Sequence, residues 1–150
     1  MFDELSDLYQ QVILDHCKQP RNFHELSGAT RSAQGHNPLC GDRVTIYVQV
    51  EDGVIRDVGF EGSGCAISTA SASLMTGAIV GRTVTEAKQI FHDFHEMVVD
   101  PAAPADTARL GKLAVFVGVR GFPARVKCAN LAWHTLHAAL TTDGESISTE

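Results

Sequence analysis

Apolar side chains recur at helical spacing near the start of the chain, which predicts an amphipathic helix over about residues 3–18. Pro20 ends this helix, because proline cannot continue the helical hydrogen-bond pattern. The polar segment that follows is rich in loop-forming residues and predicts one short edge strand around residues 29–35. The chain therefore begins with a helix and a long connection.

Polar and apolar residues alternate strictly over residues 43–50, which is typical of a strand with one buried face. Residues 51–53 read Glu-Asp-Gly, a turn signal, and a second strand is predicted over residues 54–61. The two strands therefore form a hairpin. Further helices are predicted over residues 66–80, 84–98 and 124–140. Small side chains in the first of these would let it pack closely against a neighbour.

The segment 113–119 is ambiguous, because its β-branched residues favour a strand while the helices around it favour a helix. Residues 141–150 are polar and predict a frayed tail. No repeat, low-complexity tract or long linker divides the 150 residues. We therefore expect a single domain over residues 1–140 followed by the tail.

The composition is ordinary for a soluble globular protein, with 44% hydrophobic and 20% charged residues. The formal net charge is −6 and the 12 basic residues do not cluster, so we expect no nucleic-acid partner. No apolar run approaches the length of a membrane span, and the acidic N-terminus lacks the features of a signal peptide. We therefore expect a cytoplasmic location, where the four cysteines would rarely form disulfides.

Three of the cysteines lie where an element begins or turns. Cys40 precedes the first hairpin strand, and Asp42 projects to the same face because residues i and i+2 of an extended segment do so. Cys65 opens a helix, whose positive end favours a thiolate, and Cys128 lies near the start of the last helix. Three thiolates repel one another unless a cation holds them. Tetrahedral zinc accepts such a set together with one carboxylate.

The same cysteines fit a simpler interpretation, in which they are three unconnected core residues. Free cysteine is among the most buried residue types, so this arrangement is common. No pair shows the CxxC spacing of a zinc finger or a redox motif. Spacing alone leaves both interpretations open.

Three cysteine-containing segments resemble the signature segments of IscU-type iron–sulfur cluster assembly proteins. They are residues 40–42 (Cys-Gly-Asp), 62–68 (Gly-Ser-Gly-Cys-Ala-Ile-Ser) and 122–128 (Phe-Pro-Ala-Arg-Val-Lys-Cys). The opening stretch is also similar to that family, from Leu8-Tyr9 to Asp15-His16 and in Pro20-Arg21-Asn22. The resemblance covers nearly the whole chain up to about residue 140.

In two details the sequence resembles the SufU branch of that family. Lys127 stands where the scaffold-type IscU branch has a histidine, immediately before the third cysteine of the motif set. The long separation of Cys65 and Cys128 is similar to the SufU pattern, which carries an insertion there. The resemblance implies an α+β fold with a small, about three-stranded antiparallel sheet packed against several helices. It also favours a helix over a strand for residues 113–119.

The resemblance further implies a zinc site formed by Cys40, Asp42, Cys65 and Cys128. The implied activity is that of a sulfurtransferase, which accepts persulfide sulfur from a SufS-type cysteine desulfurase and delivers it to the iron–sulfur assembly machinery. Cys40 is the expected sulfur acceptor. It lies in a loop and is followed by Gly41, whose dihedral freedom lets the sulfur move, whereas the other two cysteines belong to helices.

Two alternative functions would use the same residues. One is a scaffold that binds iron and a nascent iron–sulfur cluster in place of zinc, and the other is a domain whose zinc is purely structural. Lys127 argues against the scaffold, because the missing imidazole removes one candidate cluster ligand. A movable ligand argues against a structural site, because such sites are closed. We therefore expect the sulfurtransferase function.

Arg125 lies one helical turn before Cys128, so both side chains are expected on one side of the last helix. A guanidinium there would stabilise a thiolate or persulfide anion. A surface ion pair accounts for the same residue equally well.

Other candidate residues favour simpler interpretations. Cys17 lies on the first helix, outside any proposed site, and is interpreted as a small core or partly exposed residue without a chemical role. The pairs His92 and His95, and His134 and His137, have the helical spacing of metal ligands. Each pair flanks an apolar stripe without an evident third ligand, which favours solvated histidines.

Overall fold

The computed structural model describes residues 2–38, 41–100, 102–103, 107–141 and 146–148. In chain order the elements are α1 (Phe2–Lys18), β1 (Arg31–Asn37), β2 (Asp42–Glu51), β3 (Val54–Ser63), α2 (Ala66–Ile79), α3 (Val84–Val99), α4 (Thr107–Leu110), a 3₁₀ helix (Gly111–Val119), α5 (Pro123–Thr141) and β4 (Ser146–Ser148). The described part of the chain contains no helix that is both long enough and apolar enough to cross a membrane.

The sheet has the strand order β3-β2-β1-β4, and β2 runs antiparallel to both of its neighbours, β1 and β3. Ile46 at the centre of β2 lies opposite Ala33 of β1 and Phe60 of β3, and all three side chains are buried. The turn between β2 and β3 uses Asp52 and Gly53, both with positive φ. This conformation matches the right-handed twist of the flanking strands. The predicted hairpin and the α+β fold with a small antiparallel sheet are confirmed.

The short strand β4 corrects one expectation about the C-terminal tail. Residues 146–148 pair in parallel with Gln34, Gly35 and His36 of β1 instead of fraying. The outer edge of β1 would otherwise present unpaired backbone groups, and a polar segment that follows α5 can reach it.

The helices cover one face of the sheet and enclose the core. The largest buried side chains come from both layers and include Trp133, Phe94, Phe116, Ile46 and Ile55. The small residues of α2 permit a close approach to α5, where the Ser71 hydroxyl donates a 2.6 Å hydrogen bond to the carbonyl of Ala129. The close packing predicted for this helix is therefore observed.

The ambiguous segment 113–119 is helical, as the family resemblance implied. It lies within the 3₁₀ helix, which has buried residues at Leu113, Ala114, Val115, Phe116 and Val119. A segment that is apolar on nearly every side has no amphipathic period, so its pattern could not distinguish a buried helix from a buried strand.

Candidate metal centre

Asp42, Cys65 and Cys128 come together from three separate elements. They lie at the start of β2, directly before α2 and in the second turn of α5. One ligand atom from each residue lies within 4.8 Å of the other two. Asp42 and Cys128 are buried, while Cys65 is partly exposed. Cys40, the fourth expected ligand, lies outside the described residues.

The Asp42 carboxylate bridges β2 and the start of α2. Its Oδ1 accepts a 3.0 Å hydrogen bond from the backbone N–H of Cys65, and its Oδ2 lies 3.7 Å from Cys65 Sγ. A Cβ on Gly64 would lie 2.8 Å from the same Oδ1, so a glycine there lets the carboxylate approach the backbone. Gly62 is restricted as well, because its φ is +152° and a Cβ would overlap the carbonyl oxygen of Arg43.

Cys65 is the N-cap of α2. Its backbone is extended, and its Sγ accepts a 3.4 Å hydrogen bond from the backbone N–H of Ser68. This is the position at which a side-chain oxygen commonly satisfies a free helical N–H group. Because the positive end of the helix dipole points at the sulfur, the position favours a thiolate.

Cys128 is accompanied by a residue that sequence reasoning missed. The side-chain amide nitrogen of Asn37 lies 3.9 Å from Cys128 Sγ, and Asn37 itself is fully buried. Asn37 ends β1 and lies opposite Asp42 in the strand register. Its only sequence signal was its place just before the Pro38-Leu39-Cys40 loop.

These donors fit a zinc ion. Tetrahedral zinc with ordinary bond lengths would place a carboxylate oxygen and a thiolate about 3.5 Å apart, close to the observed Asp42–Cys65 separation. Among the described residues, no lysine or arginine forms a salt bridge with the buried Asp42 carboxylate. A cation bound by Asp42, Cys65 and Cys128 would therefore balance the charge of this group. The same sulfur and oxygen donors also suit iron.

The connection between β1 and β2 ends in a turn at Gly41. The backbone N–H of Gly41 donates a 2.9 Å hydrogen bond to the carbonyl of Asn37. Gly41 has a φ of +72°, which glycine adopts readily, and a Cβ there would meet no atom within 4 Å. The two residues between Pro38 and Gly41 lie outside the described part of the chain.

Arg125 is exposed at the start of α5, on the helix that carries Cys128. Its guanidinium carbon lies 4.7 Å from the centre of the Phe122 ring, a cation–π contact. Lys127, directly before Cys128, is partly buried. Cys17 is partly buried on α1 and does not belong to the metal-ligand group.

One histidine of each pair meets the other across α3 and α5, which corrects the expectation that all four are solvated. His92 and His137 are exposed, but His95 and His134 are partly buried with ring centres 5.6 Å apart. Both rings pack against Phe91. Burial lowers the pKa of His134, and the neighbouring histidines lower it further. Within the described ranges, the metal-ligand geometry is met at Asp42, Cys65 and Cys128 and not at these histidines.

Comparison with known proteins agrees with the resemblance stated from the motifs. The family model described as the NifU-like N-terminal domain matches residues 8–129. The chain is 40% identical over 137 residues to the iron–sulfur cluster assembly scaffold protein IscU of Streptococcus pyogenes serotype M1, covering 91% of this chain and 85% of that protein. It is 39% identical over 139 residues to the zinc-dependent sulfurtransferase SufU of Bacillus subtilis, covering 93% of each.

A solved structure shows the same fold. It is the putative iron–sulfur cluster assembly scaffold protein for the SUF system from Fervidobacterium islandicum AW-1, with a TM-score of 0.81 and 37% identity. The match covers 87% of this chain and 95% of that one. On the family match, the sequence identities and the shared fold, the chain belongs to the NifU-like N-terminal domain family, which includes the IscU and SufU proteins.

Proposed function

We propose that this protein is a zinc-dependent sulfur carrier in iron–sulfur cluster assembly, working in the cytoplasm with a SufS-type cysteine desulfurase. The observation that carries the proposal is the meeting of the Asp42 carboxylate with the thiols of Cys65 and Cys128. This set suits zinc in number, charge and spacing. The similarity to a zinc-dependent sulfurtransferase over 93% of both chains supports the same assignment.

Asp42, Cys65 and Cys128 would hold the zinc, with Cys40 as the fourth ligand and the sulfur acceptor. Bound zinc keeps a ligand sulfur as a thiolate at neutral pH. The Cys40 thiolate attacks the outer sulfur of the desulfurase persulfide, so that a new S–S bond forms on Cys40. The S–S bond on the desulfurase breaks, and its cysteine leaves as a thiolate.

The surroundings of the other two cysteines support this choice of acceptor. Cys65 Sγ is held at the start of α2 by the Ser68 N–H group and lies beside Asp42. Cys128 is 4% exposed, so its sulfur is shielded from a persulfide on another protein. Gly41 lies in an open turn, which would let the neighbouring Cys40 leave the metal.

A scaffold function is the second candidate, because the Streptococcus pyogenes relative carries the name of a scaffold protein. It would place iron and a nascent cluster on the same ligands. Lys127 weakens this candidate, since an ammonium group is not a cluster ligand at neutral pH. A purely structural zinc fits less well, because Cys65 is partly exposed.

The test is to purify the protein and to determine its metal content and visible spectrum. The protein is then incubated with a SufS-type desulfurase and cysteine, alkylated, and examined by peptide mass. We expect about one zinc per colourless chain, with the persulfide on Cys40. A brown protein containing iron would favour the scaffold. A persulfide found mainly on Cys65 or Cys128, or full sulfur transfer by Cys40→Ser, would contradict the proposed acceptor.

A further inference from the structure

A cavity lies towards the opposite end of α2 from the candidate metal ligands. An open cavity of about 650 Å³ is lined by residues of α1, the C-terminal half of α2, α3, α4 and the 3₁₀ helix. Leu74, Ile90 and Leu113 supply apolar parts of its lining. Ser73, on its wall, lies two helical turns along α2 from Cys65, about 12 Å at the usual helical rise. The cavity is large enough for a small organic ligand.

A buried histidine lines this cavity and is held in place. His16 is 7% exposed, and its Nδ1 lies 2.7 Å from the hydroxyl oxygen of Ser73. The backbone N–H of Arg21 donates a 2.9 Å hydrogen bond to the same oxygen. The Ser73 hydroxyl can then donate its hydrogen to Nδ1, which places the proton of the neutral ring on Nε2. Within the described chain, the ring of His16 makes no other hydrogen bond.

Basic side chains from three different segments converge on the same cavity. Arg21 follows α1, Arg82 follows α2, and Lys112 belongs to the 3₁₀ helix. The described residues that line the cavity include no aspartate or glutamate. Asp15 pairs with Arg21 at 2.7 Å from outside the lining, and Glu86 caps α3 through Thr83. The cavity therefore concentrates positive charge in a chain whose formal net charge is −6.

The electrostatic environment of His16 agrees with this distribution. Burial is the largest cause that lowers its pKa, and the positive charges of Arg21 and Lys112 lower the pKa further. Asp15 raises the pKa, but by less than Arg21 lowers it. The positive charges of the cavity lining therefore act on the buried His16 ring and help to lower its pKa.

Gly77 lies on the α2 side of the cavity and is exposed. It lies within α2, where glycine is less favourable than alanine. A Cβ at Gly77 would meet no atom within 4 Å, so close packing does not require a glycine there. Because Gly77 lines the cavity, a large side chain at this position would fill part of its volume.

We propose that this cavity binds a small organic anion, with a phosphate or carboxylate headgroup on an apolar body. The headgroup lies against Arg21 and Lys112 and accepts a hydrogen bond from Nε2 of His16. The apolar body packs against Leu74 and Leu113. The Asp15-His16 and Pro20-Arg21 segments, which take no part in the candidate metal centre, would form part of this binding site. The proposal does not depend on the proposed sulfur transfer.

The experiment follows backbone amide NMR shifts of the metal-loaded protein during titration with phenyl phosphate, phenylacetate or uncharged phenol. We expect at least one of the two anions to give saturable shifts around the cavity below about 10 mM, while phenol does not. Which anion binds more tightly distinguishes a phosphate from a carboxylate ligand. Lys112→Glu should weaken the binding by about tenfold, and Gly77→Leu should remove it. Arg56→Glu, the same charge change on an exposed residue of β3, should leave it unchanged.

A second measurement separates ligand binding from a structural role of His16. The ring of His16 is titrated by NMR with and without saturating phenylacetate, and the bound anion should raise the pKa of His16. The proposal is overturned if neither anion saturates, or if Gly77→Leu and Lys112→Glu bind like the unmodified protein. Shifts confined to Asp42 and Cys65 would also overturn it, because they would place the anion at the metal centre.

Discussion

Replacing Gly64 with alanine tests whether the close approach of the backbone to Asp42 shapes the candidate metal centre. The new Cβ would lie 2.8 Å from Asp42 Oδ1 and 3.0 Å from Cγ, well inside ordinary contact distance. The carboxylate must move, and its hydrogen bond from the Cys65 N–H group lengthens or breaks. We therefore expect the zinc affinity of Gly64→Ala to fall by about 10- to 100-fold, as for other changes that misplace a ligand.

The same substitution should also affect the metal-free protein, because overpacking strains the structure. We expect the free energy of unfolding to fall by about 1–3 kcal/mol in the presence of a chelator. For a chain of this size, each kcal/mol corresponds to a decrease in Tm of about 2–4 °C. Zinc affinity is measured by competition with a chromophoric chelator, and stability by thermal denaturation.

Gly118→Ala is the matched control, since a Cβ at Gly118 would meet no atom within 4 Å. This variant should bind zinc as tightly as the unmodified protein. Equal zinc affinities for Gly64→Ala and Gly118→Ala would refute the reasoning, because the contact with Asp42 would then have no effect on the ligand.

Three further predictions concern the cysteines and the histidines. Cys65→Ala should release zinc and lower the Tm, since metal binding is linked to folding; full zinc content by elemental analysis would contradict this. Cys17→Ser should keep its zinc and its sulfur transfer, and a large loss of transfer with normal circular dichroism would show that Cys17 takes part in the chemistry. Because burial lowers the pKa of His134, the unfolded chain binds more protons below about pH 6.5, and stability should fall there as the pH decreases. In urea denaturation His134→Gln should weaken this dependence, whereas His92→Gln, at an exposed position, should not; equal slopes for both variants would count against the assignment.

The local structure could be predicted from the sequence because it depends on near neighbours. Alternation over residues 43–50 identified the central strand, and the Asp52-Gly53 turn with its positive φ angles closed the hairpin as expected. Helical periodicity placed α1, α2, α3 and α5 within two residues of their observed ends. The three cysteine segments also indicated a family, which the comparisons confirm.

The candidate metal centre illustrates what the motifs alone left open. Spacing could not show whether Cys65 and Cys128 meet, since they lie on different helices. Their distance depends on how α2 and α5 pack, and therefore on small side chains such as Ser71 at the contact. Asn37 went unnoticed for the same reason, because its position beside Cys128 follows from the alignment of β1 with α5.

The sequence by itself determined the hairpin, the helices and the residue types that suit a metal, because each of these depends on a period or motif within a short segment. Only the tertiary structure decided that His95 meets His134 and that His16 lines a cavity with Lys112. These contacts join segments that are distant along the chain, and a pattern confined to one segment carries no information about its partner. They are set by the packing of whole helices, whose buried faces are similarly apolar and do not specify their neighbours.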